Sequence, residues 1–362
     1  MHIADVTMFY AARSGGIRRY LDAKHAWLRQ RACRHTLIVP DRNGCAADEA
    51  TLALPSLPLP LSGGYRLPLG MRRAAREIVR LRPHVVEAGD PYHLAWAALR
   101  ARDRLAAPAV AFCHSDLPRL VGGRYGARAE RWAARYFGCL YREFDMVLAP
   151  SAFLALKLKQ WGVSRVAQQA LGVDAAVFRP GLRSAAARMA FGAEPGTRLL
   201  VYAGRFAPEK NLPVLVDALR ALGSPYQLLL IGSGALPAPL PSNVRVLSFI
   251  GQRERLAAAL ASCDAFVHAG DQETFGLAAL EAMACGIPVV GADEAGIAEI
   301  VTPECGVLVP PRDAEALAEG ITRLFDGDLA ALGAAARRVA EGNAWPPLLE
   351  QMLGRYRALT GH

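Results

Sequence analysis

The sequence predicts an α/β protein built as two doubly wound domains, each a parallel sheet with helices on both faces. Three observations lead there. At 362 residues the chain exceeds what one core ordinarily organises, and 52% hydrophobic with 21% charged residues is the composition of a packed globular protein. Short apolar runs alternate with helical patterns from one end to the other, the rhythm of strand–helix–strand units. That rhythm breaks once, near Leu171-Gly172-Val173-Asp174 and the turn-rich Phe178-Arg179-Pro180-Gly181, and then begins again.

Buried strands are predicted at 3–8, 36–40, 85–88, 110–114 and 146–149, with helical stretches between most of them. After the break they recur at 199–203, 227–231, 244–249, 265–267, 288–290 and 306–309. The expected domains are 1–175 and 176–344, with 345–362 a terminal helix packing back towards the first. Residues 54–70 interrupt the rhythm with a Pro/Leu-rich loop that is long and unusually apolar, as functional loops often are. After it, Arg72, Arg73, Arg76 and Arg80 recur at roughly helical spacing, with Ile78, Val79 and Leu81 on the other side.

Composition excludes several classes. The first residues carry neither a basic region nor a long apolar one, so no signal peptide is expected, and no run of eighteen uncharged apolar residues spans a membrane. Seven scattered cysteines without a C-x-x-C pair suit buried thiols in a reducing cytoplasm better than disulfides or zinc. The net charge of +9 is uneven: residues 1–180 hold 27 Lys+Arg against 14 Asp+Glu, and the remainder 15 against 19. So basic a half attracts phosphate-rich partners, whether an anionic membrane surface, a phosphorylated acceptor or nucleic acid.

The strongest chemical signal runs from Glu273-Thr274-Phe275-Gly276-Leu277 through Glu281 to the Gly286-Ile287-Pro288 turn. It reads as a loop, a helix and a buried strand. The free amides of Phe275, Gly276 and Leu277 at the helix start form a natural cradle for a diphosphate, and Gly276 lets a phosphate approach without a Cβ. Glu273 is placed to accept from sugar hydroxyls, and Glu281, two turns further in, to reach a ribose diol. A second stretch, Val201 to Asn211, reads as a strand, a glycine turn at Gly204, then Arg205 and Lys210, two cations able to neutralise a leaving diphosphate. A third, Ile231-Gly232-Ser233-Gly234, reads as a glycine turn at a strand end.

Together these stretches resemble the retaining glycosyltransferases of family four, which have the GT-B fold: two facing Rossmann-like domains with an inter-domain cleft. The resemblance covers nearly the whole chain. It takes in Ser14-Gly15-Gly16 to Arg19-Tyr20, Ala149-Pro150-Ser151 opening a helix, Gly172-Val173-Asp174 at the linker, and Ala295-Gly296 to Glu299. It implies that Glu273 contacts the donor sugar and Glu281 the ribose, while Arg205 and Lys210 hold the diphosphate. Gly15 and Gly16 would face the donor from the opposite domain, and His114 stands where the family places a histidine near the donor sugar. It further implies a hexosyltransferase that needs no metal, and no cofactor beyond the nucleotide sugar as co-substrate. Expected partners are a nucleotide sugar, UDP- or GDP-linked, a sugar or lipid-linked acceptor of envelope polysaccharide or glycolipid synthesis, and an anionic membrane surface, with no nucleic acid. The expected location is cytoplasmic, peripheral on the inner face of the membrane.

Plainer readings stand beside these. Glu281 suits a solvated helix residue and Glu273 an acid favouring the helix dipole. Arg205 and Lys210 suit surface charges, His114 a structural histidine, Asp116 a helix cap or turn, Gly15-Gly16 a tight turn, and Glu299 a structural cap. The arginines of 72–80 suit either a solvated helix face or a membrane- or acceptor-facing surface. Rival functions are a GT-B sugar-nucleotide epimerase, a phosphorylase, or a non-catalytic nucleotide- or nucleic-acid-binding protein. Dinucleotide binding lacks a complete G-x-G-x-x-G after the first strand.

Overall fold

The computed structural model describes residues 1–11, 15–41, 50–59 and 65–361. The chain divides into two compact units, Met1–Ala170 with the segment from Trp345 onward, and Leu171–Ala344.

The strands of the first unit are β1 (His2–Val6), β2 (Arg34–Pro40), β3 (Thr51–Leu54), β4 (Ser56–Pro58), β5 (Arg66–Pro68), β6 (Val85–Ala88), β7 (Ala109–Phe112), β8 (Met146–Ala149) and β9 (Val166–Gln168). Its main sheet has the order β3-β2-β1-β6-β7-β8-β9, parallel throughout. Around it lie α1 (Gly16–Arg29), α2 (Met71–Leu81), α3 (His93–Leu105), α4 (Leu117–Tyr125), α5 (Ala127–Arg142) and α6 (Ala152–Gln160). Because helices cover both faces, the central strands read as apolar runs rather than alternating ones. Local chemistry sets the helix starts. Ser151 caps α6 by accepting from the Leu154 amide at 3.2 Å, and Asp116 caps α4 by accepting from the Arg119 amide at 3.2 Å.

The apolar segment after β3 is more ordered than a loop: β4 and β5 pair antiparallel, while residues 60–64 between them lie outside those described. Proline density hides such short strands, since proline is tolerated only where a ladder bond is not required. Helix α2 buries Ala74, Ala75 and Ile78 and turns Arg72, Arg73, Arg76 and Arg80 to solvent, with Val79 and Leu81 only half-buried.

The last helix of the chain, Trp345–Thr360, completes this unit, and a buried polar network ties it down. Lys24 is fully buried; its ammonium lies 2.8 Å from Asp5 Oδ1 and 3.2 Å from Glu87 Oε1. His35 Nε2 lies 2.7 Å from Asp5 Oδ2, and the Tyr20 hydroxyl donates to Glu87 at 2.8 Å. Tyr356 of the terminal helix donates to the other oxygen of Glu87 and accepts from Lys24 at 3.1 Å. Burial drives the Glu87 carboxyl upward against the pull of Lys24, whereas for Asp5 the charges of Lys24 and His35 outweigh burial and hold it low.

In the second unit the strands are β10 (Arg198–Phe206), β11 (Tyr226–Gly234), β12 (Val244–Ser248), β13 (Ala265–His268), β14 (Val289–Ala292) and β15 (Gly306–Val309). Their order, β12-β11-β10-β13-β14-β15, is again parallel throughout. The helices are α7 (Ala185–Ala190), α8 (Leu212–Leu222), α9 (Arg253–Ala261), α10 (Leu277–Ala284), α11 (Ala295–Ile300), α12 (Ala314–Asp326) and α13 (Leu329–Gly342), so that Trp345–Thr360 is α14. In both sheets the order reverses once, between β1 and β6 and between β10 and β13. Such switch points leave a crevice at the carboxyl ends of the strands, where open α/β sheets bind ligands.

Two expected glycine turns prove to be strand. Gly204 lies within β10 and Gly232 and Gly234 within β11, paired residue for residue (Gly204 with Gly232, Phe206 with Gly234). The glycines serve close approach instead of turning: a Cβ on Gly232 would stand 1.9 Å from the Gly204 carbonyl oxygen, and one on Gly234 2.1 Å from that of Phe206. Gly232→Ala is therefore expected to force the strand ends apart and cost about 1–3 kcal/mol in thermal denaturation. Gly181→Ala, whose Cβ would meet nothing within 4 Å, is the near-neutral control.

Candidate functional site

The switch point of the second unit gathers most of the sequence-predicted residues. The chain leaves β10 at Phe206 and makes a single 3-10 turn, Pro208–Lys210, before α8; it leaves neighbouring β13 at His268 and runs through Glu273 to α10. These two exits meet at Lys210, whose ammonium lies 2.5 Å from Glu273 Oε2. His268 Nε2 stands 3.5 Å from the same oxygen. Burial alone would raise the Glu273 carboxyl, but the Lys210 charge and the imidazole outweigh it and hold the acid well below the usual carboxylate range.

The loop carrying Glu273 is braced from both sides. Asn211, in the left-handed conformation (φ 49°) that starts α8, donates to the Ala269 carbonyl at 3.2 Å and to Asp271 Oδ1 at 3.1 Å. Arg312 Nε lies 2.7 Å from the other oxygen of the buried Asp271. On the far side the Gly296 amide donates to the Glu273 carbonyl at 2.7 Å, and a Cβ on Gly296 would stand 2.5 Å from the Phe275 nitrogen. The Ala295-Gly296 stretch is thus the backing of this loop, and Glu299 on the same helix is exposed.

Helix α10 begins at Leu277 with Gly276 as its N-cap residue at φ 95°. A glycine is needed there for that backbone conformation and for packing. Its absent Cβ would meet Ile297 Cδ1 at 2.8 Å and Ile300 Cδ1 at 3.2 Å, so the clearance sequence reasoning reserved for a phosphate is taken up by α11. The first amides of α10 nonetheless have no partner within the helix, and with the helix dipole they favour an anion. Phe275 and Leu277 are buried beside this cap. Glu281 is only 2% exposed, so it is no solvated helix residue. A carboxylate is costly to bury, which marks Glu281 as placed for a polar purpose. Arg205, by contrast, has a side chain 70% exposed and lies 2.8 Å from Glu209 one turn on.

In the first unit, Gly15 precedes α1 and Gly16 is its first residue; Gly15 is exposed at φ −87°, ψ −107°, outside the regions that residues with a Cβ favour, while Ser14 lies outside the described residues. His114 follows β7 and stacks on Phe112 (centroids 4.2 Å, planes 5° apart), with Tyr20 at 5.7 Å. Burial and the nearby Lys24 charge push its imidazole down to about 3, so it is neutral at physiological pH and suited to hydrogen bonding rather than to carrying charge. Asp116, capping α4, takes the structural role.

Several residues here escaped the sequence reading. His268, Asn211, Asp271 and Arg312 brace the Glu273 loop, and Asp90 accepts from the amides of Met8 (2.8 Å) and Tyr92 (3.1 Å), tying together the loops after β1 and β6. Burial raises Asp90 to about 6. Position at the carboxyl end of a predicted strand is the signal that would have found His268, Asp271 and Asp90; nothing local marks Arg312.

Comparison with known proteins adds the following. The family described as "Glycosyltransferase Family 4" matches residues 14–177, and "Glycosyl transferases group 1" matches residues 185–340. A GDP-mannose-dependent alpha-mannosyltransferase of Mycobacterium tuberculosis (strain CDC 1551 / Oshkosh) is 34% identical, over 82% of this chain and 79% of the relative. A GDP-mannose-dependent alpha-(1-6)-phosphatidylinositol dimannoside mannosyltransferase of Mycobacterium tuberculosis (strain ATCC 25177 / H37Ra) is 31% identical, over 99% and 97%. Among solved structures, sucrose-phosphate synthase from Thermosynechococcus elongatus superposes with a TM-score of 0.81 at 22% identity, over 100% and 99% of the two chains. Anabaena HepE in complex with UDP and glucose gives 0.77 at 18%, over 98% of each. The fold is of the GT-B type.

Removal of the cation tests the ion pair. Lys210→Met is expected to lower stability at neutral pH by about 1–3 kcal/mol, the scale of a hydrogen bond to a charged group. Because the folded carboxyl sits below its unfolded value, this contribution is whole above about pH 4.3. It fades as the pH falls towards the folded value. Denaturation curves of the two proteins should therefore differ by a constant amount above about pH 5 and converge in acid.

Proposed function

The chain belongs to glycosyltransferase family four, and we propose that it transfers mannose from GDP-mannose to a glycolipid acceptor with retention of configuration and without a metal. The observation that carries the reading is the Lys210–Glu273 pair beside the N-terminus of α10, at the switch point of the second unit. A diphosphate needs positive charge and a sugar needs hydrogen-bond acceptors, and this arrangement offers both side by side. The choice of GDP-mannose follows the donor for which the relatives above 30% identity are named, whereas the UDP-bound structures lie below 20% and speak for fold alone.

In this reading Lys210, Arg205 and the first amides of α10 at Phe275, Gly276 and Leu277 hold the diphosphate, and Glu281 takes the ribose. Gly232 keeps β11 close to β10 at Gly204, so that Arg205 at the end of β10 and Lys210 just beyond it are held at a fixed place. Glu273 accepts from the hexose hydroxyls; once the phosphates draw Lys210, its carboxylate is released for that role. The bond from the anomeric carbon to the phosphate oxygen breaks, and the acceptor hydroxyl bonds to that carbon on the same face. The hydroxyl proton passes to the departing diphosphate oxygen. Positive charge stabilises the oxygen as it leaves, which is where electrostatic catalysis acts. His114, neutral, and the Gly15–Gly16 turn are assigned to the sugar side of the donor. The N-terminal unit is assigned to the acceptor. Its excess of arginine, together with Leu57, Leu59 and Leu69 exposed on and beside the β4–β5 hairpin, supports an acceptor presented at an anionic membrane face.

The test is mannose transfer from labelled GDP-mannose into a lipid extract. Lys210→Ala and Glu273→Gln should each lower turnover by roughly 100-fold or more, as loss of one transition-state donor does. The two should separate in binding: the lysine variant weakens GDP and GDP-mannose alike, the glutamate variant GDP-mannose alone. Near-normal turnover in either sinks the assignment. A chelator should leave the rate unchanged, and the pH profile should carry no limb between about 5 and 8 that His114→Ala removes.

A further inference from the structure

Helices α2 and α3 of the first unit flank a solvent-open pocket of about 410 Å³ lined by the exposed Arg72, Arg76, Arg100 and Arg104 around Ala75. Its size falls within the range of small-molecule sites. The arginines come as two pairs four residues apart, one pair per helix, so each pair shares a helix face. None of the four meets a carboxylate among the described residues. The acids of the same helices are already engaged: Glu77 lies 3.0 Å from Arg80, and Asp103 2.9 Å from Arg102. Ala75, 2% exposed, gives a small floor that leaves the guanidinium groups free to converge.

Four cations facing one cavity repel one another, and neither helix supplies an acid to offset them. Guanidinium is the side chain whose planar fork matches phosphate oxygens two at a time, and the cavity is furnished with that group alone. We propose that this cavity binds a phosphomonoester or diphosphate group of a ligand other than the sugar donor. The donor reading assigns its diphosphate to Lys210 and Arg205 in the second unit, and the arginine cavity stands independently of that assignment. Two arginines can chelate one phosphate from α2 and two from α3, which suits a dianionic terminal phosphate or a diphosphate better than a phosphodiester with a single charge.

The test uses the full chain saturated with GDP, titrated with inorganic pyrophosphate by calorimetry, as wild type, the double variant Arg72→Gln/Arg104→Gln, and Lys210→Ala. All substituted arginines are exposed, and an unchanged thermal shift with GDP reports that the double variant is folded. Pyrophosphate should bind the wild type and Lys210→Ala equally, and the double variant about tenfold or more weakly, the scale of lost charge-assisted bonds. Arg72→Lys/Arg104→Lys, which keeps the charge and loses the fork, should fall between. A second arm sediments the protein with phosphatidylcholine vesicles with or without phosphatidic acid. Capture by phosphatidic acid that the glutamine variant loses and pyrophosphate displaces identifies a lipid headgroup as the source. Indifference to the vesicles with pyrophosphate binding intact identifies a soluble phosphorylated ligand. A glutamine variant that matches wild type in both arms overturns the proposal, as does pyrophosphate binding that follows Lys210 instead.

Discussion

The ion pair between Lys210 and Glu273 is the constraint on which the second unit's crevice depends. It joins the exits of two adjacent strands at the one place where the sheet order reverses, and so fixes two loops that share no backbone hydrogen-bond ladder. The surroundings are arranged for it. Asn211, after β10, and Arg312, after β15, converge on Asp271 from opposite sides of β13, and a Cβ on Gly270 would stand 2.9 Å from the Glu209 carbonyl, so the loops lie in direct backbone contact. An ion pair at such a place is a weak source of net stability, since desolvation offsets much of the attraction. Its value is that both partners stay charged and aimed, the condition for electrostatic preorganisation.

The first unit is organised by a buried charge as well, put to another use. Lys24, Asp5, Glu87 and His35 lie among Tyr20 and Tyr356, so every charge has a partner and the terminal helix cannot leave without exposing them. The same lysine helps depress His114, which links packing of the C-terminal helix to the protonation state of a strand-end histidine. In one unit the ion pairs face a crevice; in the other they are sealed beneath a helix.

Fold class was legible in the sequence because strands covered on both faces must be apolar throughout, and most predicted strands fall within a residue or two of those observed. What escaped had physical causes. Strands β3, β4, β5 and β9 are short, and proline or polar residues blur their pattern. Gly204, Gly232 and Gly234 read as turns because sequence cannot distinguish a glycine that bends the chain from one that lies in a strand, where Gly232 and Gly234 let two strands touch and Gly204 leaves room for the Tyr202 hydroxyl. The Glu273 to Glu281 stretch stood out because glycine, acids and a helix start fall together. Asp271 and Arg312 did not, because their meeting is a product of tertiary structure across some forty residues of chain. The pairing of Lys210 with Glu273 was likewise invisible, although each residue had been singled out.

The central claim is that the crevice at Lys210 and Glu273 holds the diphosphate of a guanosine sugar. The most direct measurement is a thermal-shift panel of GDP, GDP-mannose, UDP and UDP-glucose on the metal-free wild-type protein, since a ligand that binds only the folded state raises its apparent stability. The account predicts stabilisation by both guanosine compounds, and more by GDP-mannose than by GDP because the sugar adds contacts to Glu273. Stabilisation by the uridine series alone, or by no nucleotide at all, would contradict it.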